Sequence, residues 1–324
     1  MERRGHRPWS ATSTARGRRP SVRRHQWLTS VRSAARSTRG RFGLAMVSVV
    51  VLLAVIGPFV EPYGVDRFVT TPFAGPSASH FLGGDDLGRD VLSRILGGGW
   101  VLLLMALGAT AFGIVLGGAA GISAAYLRGR RDGLIMRTVD VMLAFPQLVF
   151  ALLLVSVVGP KLWLIVIAVG ISHAPQVARV FRAATLDVSE RDYIKAAELT
   201  GASSVSVMFE EILPSLVTPL MVEAGLRLTY SIVIMAGLSF LGFGQPPPAP
   251  NWGLMINENR IGLELNPWAT IAPITVIAFL SVGVNTFTDA IARVVIGVDR
   301  SVGLLTASPE PVAFMDQEPV EAIP

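Results

Sequence analysis

Apolar residues in this chain neither alternate nor recur every third or fourth position; they come in long runs. The first extends from Phe42 to Val60, and others cover about 100–126, 135–158, 162–180, 216–241 and 270–292. A helix that crosses a bilayer needs about 20 predominantly apolar residues, so the pattern predicts an all-α polytopic membrane protein with six transmembrane helices. The first run is too far from the start for a signal peptide, because 41 residues precede it. The sequence Gly57-Pro58-Phe59-Val60-Glu61-Pro62 after it offers no small-x-small cleavage site, so it reads as an uncleaved anchor helix. Residues 1–41 are rich in Arg, Ser, Thr and Gly and read as disordered, as does the acidic, Pro-containing stretch 301–324.

Composition agrees with this picture. Of 324 residues, 51% are hydrophobic and only 16% charged, against about 25% charged in a typical soluble domain. Residues 1–41 hold 12 Arg against one Glu, and the rest of the chain holds 16 basic against 22 acidic residues. The net charge of +5 therefore belongs to the tail. A basic tail just before an apolar helix sets topology and meets anionic lipid, and nucleic acid is not an expected partner. With that tail in the cytoplasm, Arg128, Arg130 and Arg131 fall inside, as do Arg182, Arg191 and Lys195. The longer outer segments 61–99 and 242–269 carry only Arg67, Arg89, Arg94 and Arg260. Both termini are thus expected in the cytoplasm, on a multi-pass protein of a bacterial cytoplasmic membrane. The absence of cysteine excludes disulfides, thiolate catalysis and Cys-ligated metal.

Within the spans, Ala109, Gly113, Gly117, Gly121 and Ala125 recur every four positions. That stripe lets another helix backbone approach closely, and packing within the same bundle is the expected use. Prolines beside polar residues, at Pro146-Gln147 and at His173 with Pro175-Gln176, predict kinks next to a polar pathway. Neither Lys161 nor Lys195 follows a glycine, so no phosphate-binding loop is present, and no pair among His6, His25, His80 and His173 has metal-ligand spacing. No catalytic constellation stands out, and whatever energy the protein uses comes from elsewhere. Asp85, Asp86 and Asp90 read less as a cation site than as the start of an amphipathic surface helix over 87–97, with Asp86 as cap and Arg89 and Arg94 facing headgroups. Glu223 with Arg227 and Asp289 with Arg293 stand one turn apart near the cytoplasmic ends of their spans, where pairing and snorkelling suffice. The longest inner loop predicts a short helix over 190–201, opened by a capping box of Ser189 and Asp192 and stopped at Gly201.

That loop carries a resemblance. Lys195-Ala196-Ala197, then Gly201, then Leu213-Pro214, resembles the cytoplasmic signature of permeases of ATP-binding-cassette importers. Lys195 stands where the family has its first Glu, and Glu211 where an Ile is usual. His80 through Arg94, Asp132-Gly133 with Ala144-Phe145-Pro146-Gln147, Leu238 through Gly244, Asn251-Trp252-Gly253 and Pro267-Trp268 resemble, in order, the second permease subunit of dipeptide, oligopeptide and nickel systems. Departures are Met235, where relatives often carry Glu, and Val298-Asp299-Arg300, where they close with Leu-Asp-Pro-Arg. The resemblance implies a type I importer fold with a five-helix permease core over 100–300, and no enzyme activity of the chain's own. It implies a coupling helix at 190–201 that docks on the ATPase through Asp192, Tyr193, Lys195, Ala196, Ala197, Glu198, Gly201, Leu213 and Pro214. Pathway or gate candidates are Pro146, Gln147, His173, Met235, Ser239 and Phe240. The implied partners are a second homologous permease, two ATP-binding subunits that use ATP and Mg, an external substrate-binding protein and a peptide substrate; this chain binds no cofactor directly. Nickel or another small solute is the alternative cargo. An ion-coupled secondary transporter is the alternative mechanism, but it needs a midplane ion-coordinating group and commonly an internal repeat, and neither is evident.

Overall fold

A computed structural model describes residues 26–297. The tail readings for 1–25 and 301–324, and the closing Val298-Asp299-Arg300, lie outside the described residues. Where 1–41 is expected to be unstructured, the chain is helical from Gln26. Helix α1 (Gln26–Arg36) breaks at Ser37, whose Oγ accepts from Gly40 N at 3.0 Å and so caps α2 (Thr38–Val60). Ala34 is buried against Ala290 and Ile291, so α1 is held by packing on the last span rather than by its own polar sequence.

The unbroken spans are α2, α4 (Gly99–Leu127), α7 (Leu162–Ser189), α11 (Val217–Phe240) and α13 (Trp268–Ile296), all long and apolar enough to cross a bilayer. The expected third span, 135–158, passes the same length and apolarity test as a broken span, with its bend at the kink expected beside Pro146-Gln147. It is two helices, α5 (Gly129–Leu143) and α6 (Gln147–Val158), bent by 87°. Pro146 is the cause: the helical region is disfavoured for a residue before proline, and Pro146 itself adopts ψ 130°. Ala144 and Phe145 end α5 with tight bonds to Val141 O and Met142 O.

The stripe of small residues on α4 is spent inside the bundle. A Cβ on Gly113, Gly117 or Gly121 would stand 2.8, 2.4 and 2.3 Å from the carbonyl oxygens of Gly170, Ala174 and Ala178. Helices α4 and α7 therefore touch backbone to backbone. The main core gathers Val50, Leu102, Ala106, Ile165, Val169, Ile232, Met235 and Leu280 from five spans.

At one end, α3 (Val91–Gly97) and α12 (Trp252–Asn259) form a cap over the bundle. The expected amphipathic surface helix over 87–97 is not there. Asp90, not Asp86, caps α3, accepting from Ser93 N at 2.8 Å, and Arg89 and Arg94 are buried rather than turned to headgroups. Asp85 accepts from Arg89 Nε at 2.6 Å and from Arg94 Nη1, and Glu258 of α12 lies 3.2 Å from Arg94. Asn259 accepts from Asp86 N, and Trp252 donates to Ile95 O. The acidic residues are thus taken up in a clasp between the 61–90 segment and α12. Burial pushes the Glu258 carboxyl above its ordinary value, against the pull of Arg94 and Arg89.

At the opposite end stand α8 (Asp192–Leu199), α9 (Ser204–Ser206), a π-helical turn (Val207–Ile212) and α10 (Leu213–Ser215).

Candidate functional site

Helix α8 has only eight residues, well below the roughly 12–15 that an isolated helix needs in water, so tertiary contacts must hold it. The capping-box reading is corrected: α7 runs on to Ser189, whose Oγ donates to Leu186 O, and Arg191 is the N-cap, with no side-chain cap. The stop is as read. Gly201 is left-handed at φ +85°, with Gly201 N donating to Glu198 O and Ala202 N to Ala197 O, the paired bonds of a Schellman motif.

Ile194 is the seat. It is 1% exposed, packed with Ile122 of α4, Val177, Phe181 and Val188 of α7, Val207 and Ile212 of the π-turn, and Leu216. Tyr193 Oη lies 3.0 Å from Ser215 Oγ, and Tyr126 Oη donates to Glu198 at 2.7 Å. Lys195 Nζ lies 3.6 Å from Glu190, which also takes Arg128; that guanidinium holds the Glu190 carboxyl below its ordinary value. The basic residue at 195 thus has an acidic neighbour inside its own chain.

The structure gathers most of the expected docking residues on one surface. Asp192, Lys195, Ala196, Glu198, Gly201 and Pro214 are exposed, Tyr193 and Ala197 half-buried, and Leu213 packs against the second core. Sequence reasoning missed their apolar companions: Leu199 is 89% exposed, Phe209 65% and Val205 60%. The four-residue spacing of Val205 and Phe209, outside any span, was the available signal. An apolar ridge beside a helix seated by one buried side chain suits a protein partner's cleft.

The pathway candidates separate. Pro146 and Gln147 stand at the crease between α5 and α6; Gln147 Nε2 donates to Ser172 O and to Gln176 Oε1 on α7. Phe240 is half-buried. Three candidates lie in the packed interior. His173 is fully buried, its Nε2 3.0 Å from Ser231 Oγ, which is 3.1 Å from Thr110 Oγ1, so it ties α4, α7 and α11 together. Met235 belongs to the main core, and Ser239 packs against Gly244 and Gly253. Arg227 is buried too, 2.8 Å from Glu223, and donates to Gln176 Oε1 at 3.1 Å. It sits ten residues into α11, about 15 Å along it, deeper than an end-of-span pair. Asp289 and Arg293 are exposed and form no ion pair among the described residues.

Comparison with known proteins places these features in context. Residues 113–296 match the family described as the binding-protein-dependent transport system inner membrane component. The chain is 36% identical over 256 residues to a di/tripeptide transport system permease protein of Pseudomonas aeruginosa, covering 77% of this chain and 84% of that protein. It is 35% identical over 267 residues to a glutathione transport system permease protein of Pectobacterium atrosepticum, covering 80% and 87%. A putative peptide transport system permease protein of Brucella suis is 33% identical over 278 residues, covering 85% and 93%.

Proposed function

Because this chain belongs to the family of binding-protein-dependent transport system inner membrane components, we propose that it is one half of the membrane pathway of an ATP-driven importer of short peptides. The similar permeases carry di/tripeptide, glutathione and peptide transport in their names, which supports a peptide cargo. On this reading the α8 end faces the cytoplasm, both termini lie there, and the clasp of α3 and α12 faces the external binding protein. A different but homologous permease completes the pathway. Two ATPase subunits bind ATP and Mg; this chain binds neither.

The observation that carries the proposal is the seat of Ile194. An ATPase that grips α8 by Leu199, Val205, Phe209 and the exposed polar residues would, through Ile194, push on α4, α7 and the π-turn leading into α11. Movement of one small helix is thereby delivered to three spans, which is what conversion of ATPase closure into a change of pathway opening requires.

The test is to tag the chain, extract it gently from native membranes and identify what co-purifies. Two ATPase chains and a second permease are expected, with both ATPase chains lost from a Leu199→Asp, Phe209→Asp variant that still inserts. Recovery of the chain alone after mild crosslinking through 190–201 would overturn the proposal.

A further inference from the structure

Of the chain's 28 basic residues, 12 lie within residues 1–41, and the coupling surface around α8 uses none of them. No acidic residue stands between Glu2 and Glu61 to offset them. Where the structure describes this stretch, it is folded against the bundle. The chain turns sharply at Ser37, so sharply that a Cβ on Gly40 would collide with Ala34 O. Ala34 of α1 is buried with Ala290 and Ile291 of α13, and Met221 and Val222 of α11 pack on the same cluster. Ala290 stands six residues before the end of α13, about 9 Å along its axis, and Met221 lies in the second turn of α11. Helix α1 is therefore at the ends of these spans, on the side of α8.

Two features show what else meets α1. The first is charge at a defined depth. Arg32 and Arg36, one turn apart on α1, and Arg39 and Arg41 at the head of α2 are all exposed, and none forms an ion pair among the described residues. The exposed apolar stripe of α2, formed by Phe42, Val49, Leu52, Ile56 and Phe59, begins one residue after Arg41. Hydrocarbon thus starts where the arginines stop, which puts their guanidinium groups at the level of lipid headgroups. The second is the slightness of α1's own hold. Its 11 residues fall short of a self-sustaining helix, and from Val31 to Arg36 only Ala34 is buried, with Val31 and Ala35 half-buried.

We propose that α1 and the head of α2 form a docking surface for anionic phospholipid, which pins α1 against α13 and the foot of α11. The occupant follows from charge and depth together. Four exposed arginines call for anions, and an acidic protein would have to reach them beside an apolar stripe, at the height where lipid phosphates already stand. Arginine suits phosphate because its planar fork donates two parallel hydrogen bonds to it. Because α1 leans on Met221 and Val222, the charge of the leaflet bears on the foot of α11, the element that the π-turn leads into. That the leaflet is the cytoplasmic one rests on the importer reading above; the docking rests on the chain spanning a membrane.

The test takes the full chain with the subunits that co-purify with it, in nanodiscs of phosphatidylcholine alone or mixed with phosphatidylglycerol. Hydrogen exchange is followed at the amides of Val31 to Arg36. Phosphatidylglycerol should slow these amides. Each arginine at an anionic surface contributes roughly fivefold, so an Arg32→Gln, Arg36→Gln variant should lose about twenty-five-fold of that slowing, with its rates in phosphatidylcholine unchanged. Arg32→Lys with Arg36→Lys keeps both charges and should keep most of the slowing, which separates charge from packing. Equal rates in the two lipids for the unaltered chain, or undiminished slowing in the Gln variant, would overturn the docking. Protection indifferent to lipid but lost when the ATPase subunits are stripped away would also overturn it, and would assign the surface to a protein. Absence of any ATPase from the purified chain would overturn the importer reading and leave the lipid comparison intact.

Discussion

Ile194→Ala tests whether α8 is held by a single seat. The substitution removes three carbons from a side chain that is 1% exposed. At ~0.8 kcal/mol per buried methylene the transfer loss is roughly 2.4 kcal/mol, and an unfilled cavity brings buried Ile→Ala changes to about 2–5 kcal/mol. Taking ~3 kcal/mol, the equilibrium between seated and unseated α8 shifts by about a hundredfold. Little resists the shift, because eight residues do not sustain a helix alone, and the other ties of α8 include only partly buried packing of Tyr193 and Ala197 and hydrogen bonds such as Tyr193 to Ser215 and Tyr126 to Glu198. Hydrogen exchange on the purified importer reads this directly. Amides of Ala197 through Gly201 should exchange some hundredfold faster, while those of α4 and α7 keep their rates. Less than a threefold rise, or an equal rise throughout α4 and α7, would refute the seat.

Asp85→Asn strips the buried Arg89 and Arg94 of their shared carboxylate and should cost about 3–5 kcal/mol, measured as loss of thermal stability in detergent. Glu258→Gln should be far milder. The folded chain holds the Glu258 proton more tightly than the unfolded chain does, so this group's contribution to stability is full below its ordinary value of 4.5 and is lost as pH rises through the raised folded value. The variant should therefore lack that portion of the decline, and a pH–stability curve unchanged from the parent would contradict it. Gly117→Val drives a side chain into the Ala174 carbonyl and should cost at least ~2 kcal/mol, whereas Gly133→Val, with nothing within 4 Å, should leave the melting temperature unchanged.

The parts of this fold legible in the sequence are those with local causes. Run length marks the spans, the four-residue stripe marks the α4–α7 contact, and Gly201 marks the end of α8 because only glycine takes φ +85° without strain. Hydropathy could not report the bend of 87°, since Ala144, Phe145 and Pro146 are themselves apolar and an average passes straight over them. The surface-helix reading of 87–97 failed for a different reason: the acid that completes the clasp, Glu258, stands 169 residues from Arg89, and no local pattern contains it. The same distance effect hid the polar contact in which Gln147, Gln176 and Arg227 meet from three helices. Capping residues at 189 and 192 were legible as types, but α7 outcompeted them by continuing to Ser189.

These contacts also divide the bundle into parts that move together and parts that yield. Helices α4 and α7 approach so closely that a methyl group cannot stand between them, and a contact of that kind has no second register a fraction of an ångström away. The clasp at the α12 end is equally unyielding, because sliding it would leave two buried guanidinium groups without their carboxylate. Compliance is left to the α5–α6 crease, where proline has already broken the helical bonds, and to the π-turn over 207–212, whose wider hydrogen-bonded loops sit between α8 and α11. On the importer reading, force applied at α8 therefore swings α4 and α7 as one wedge. The crease and the foot of α11 flex around it.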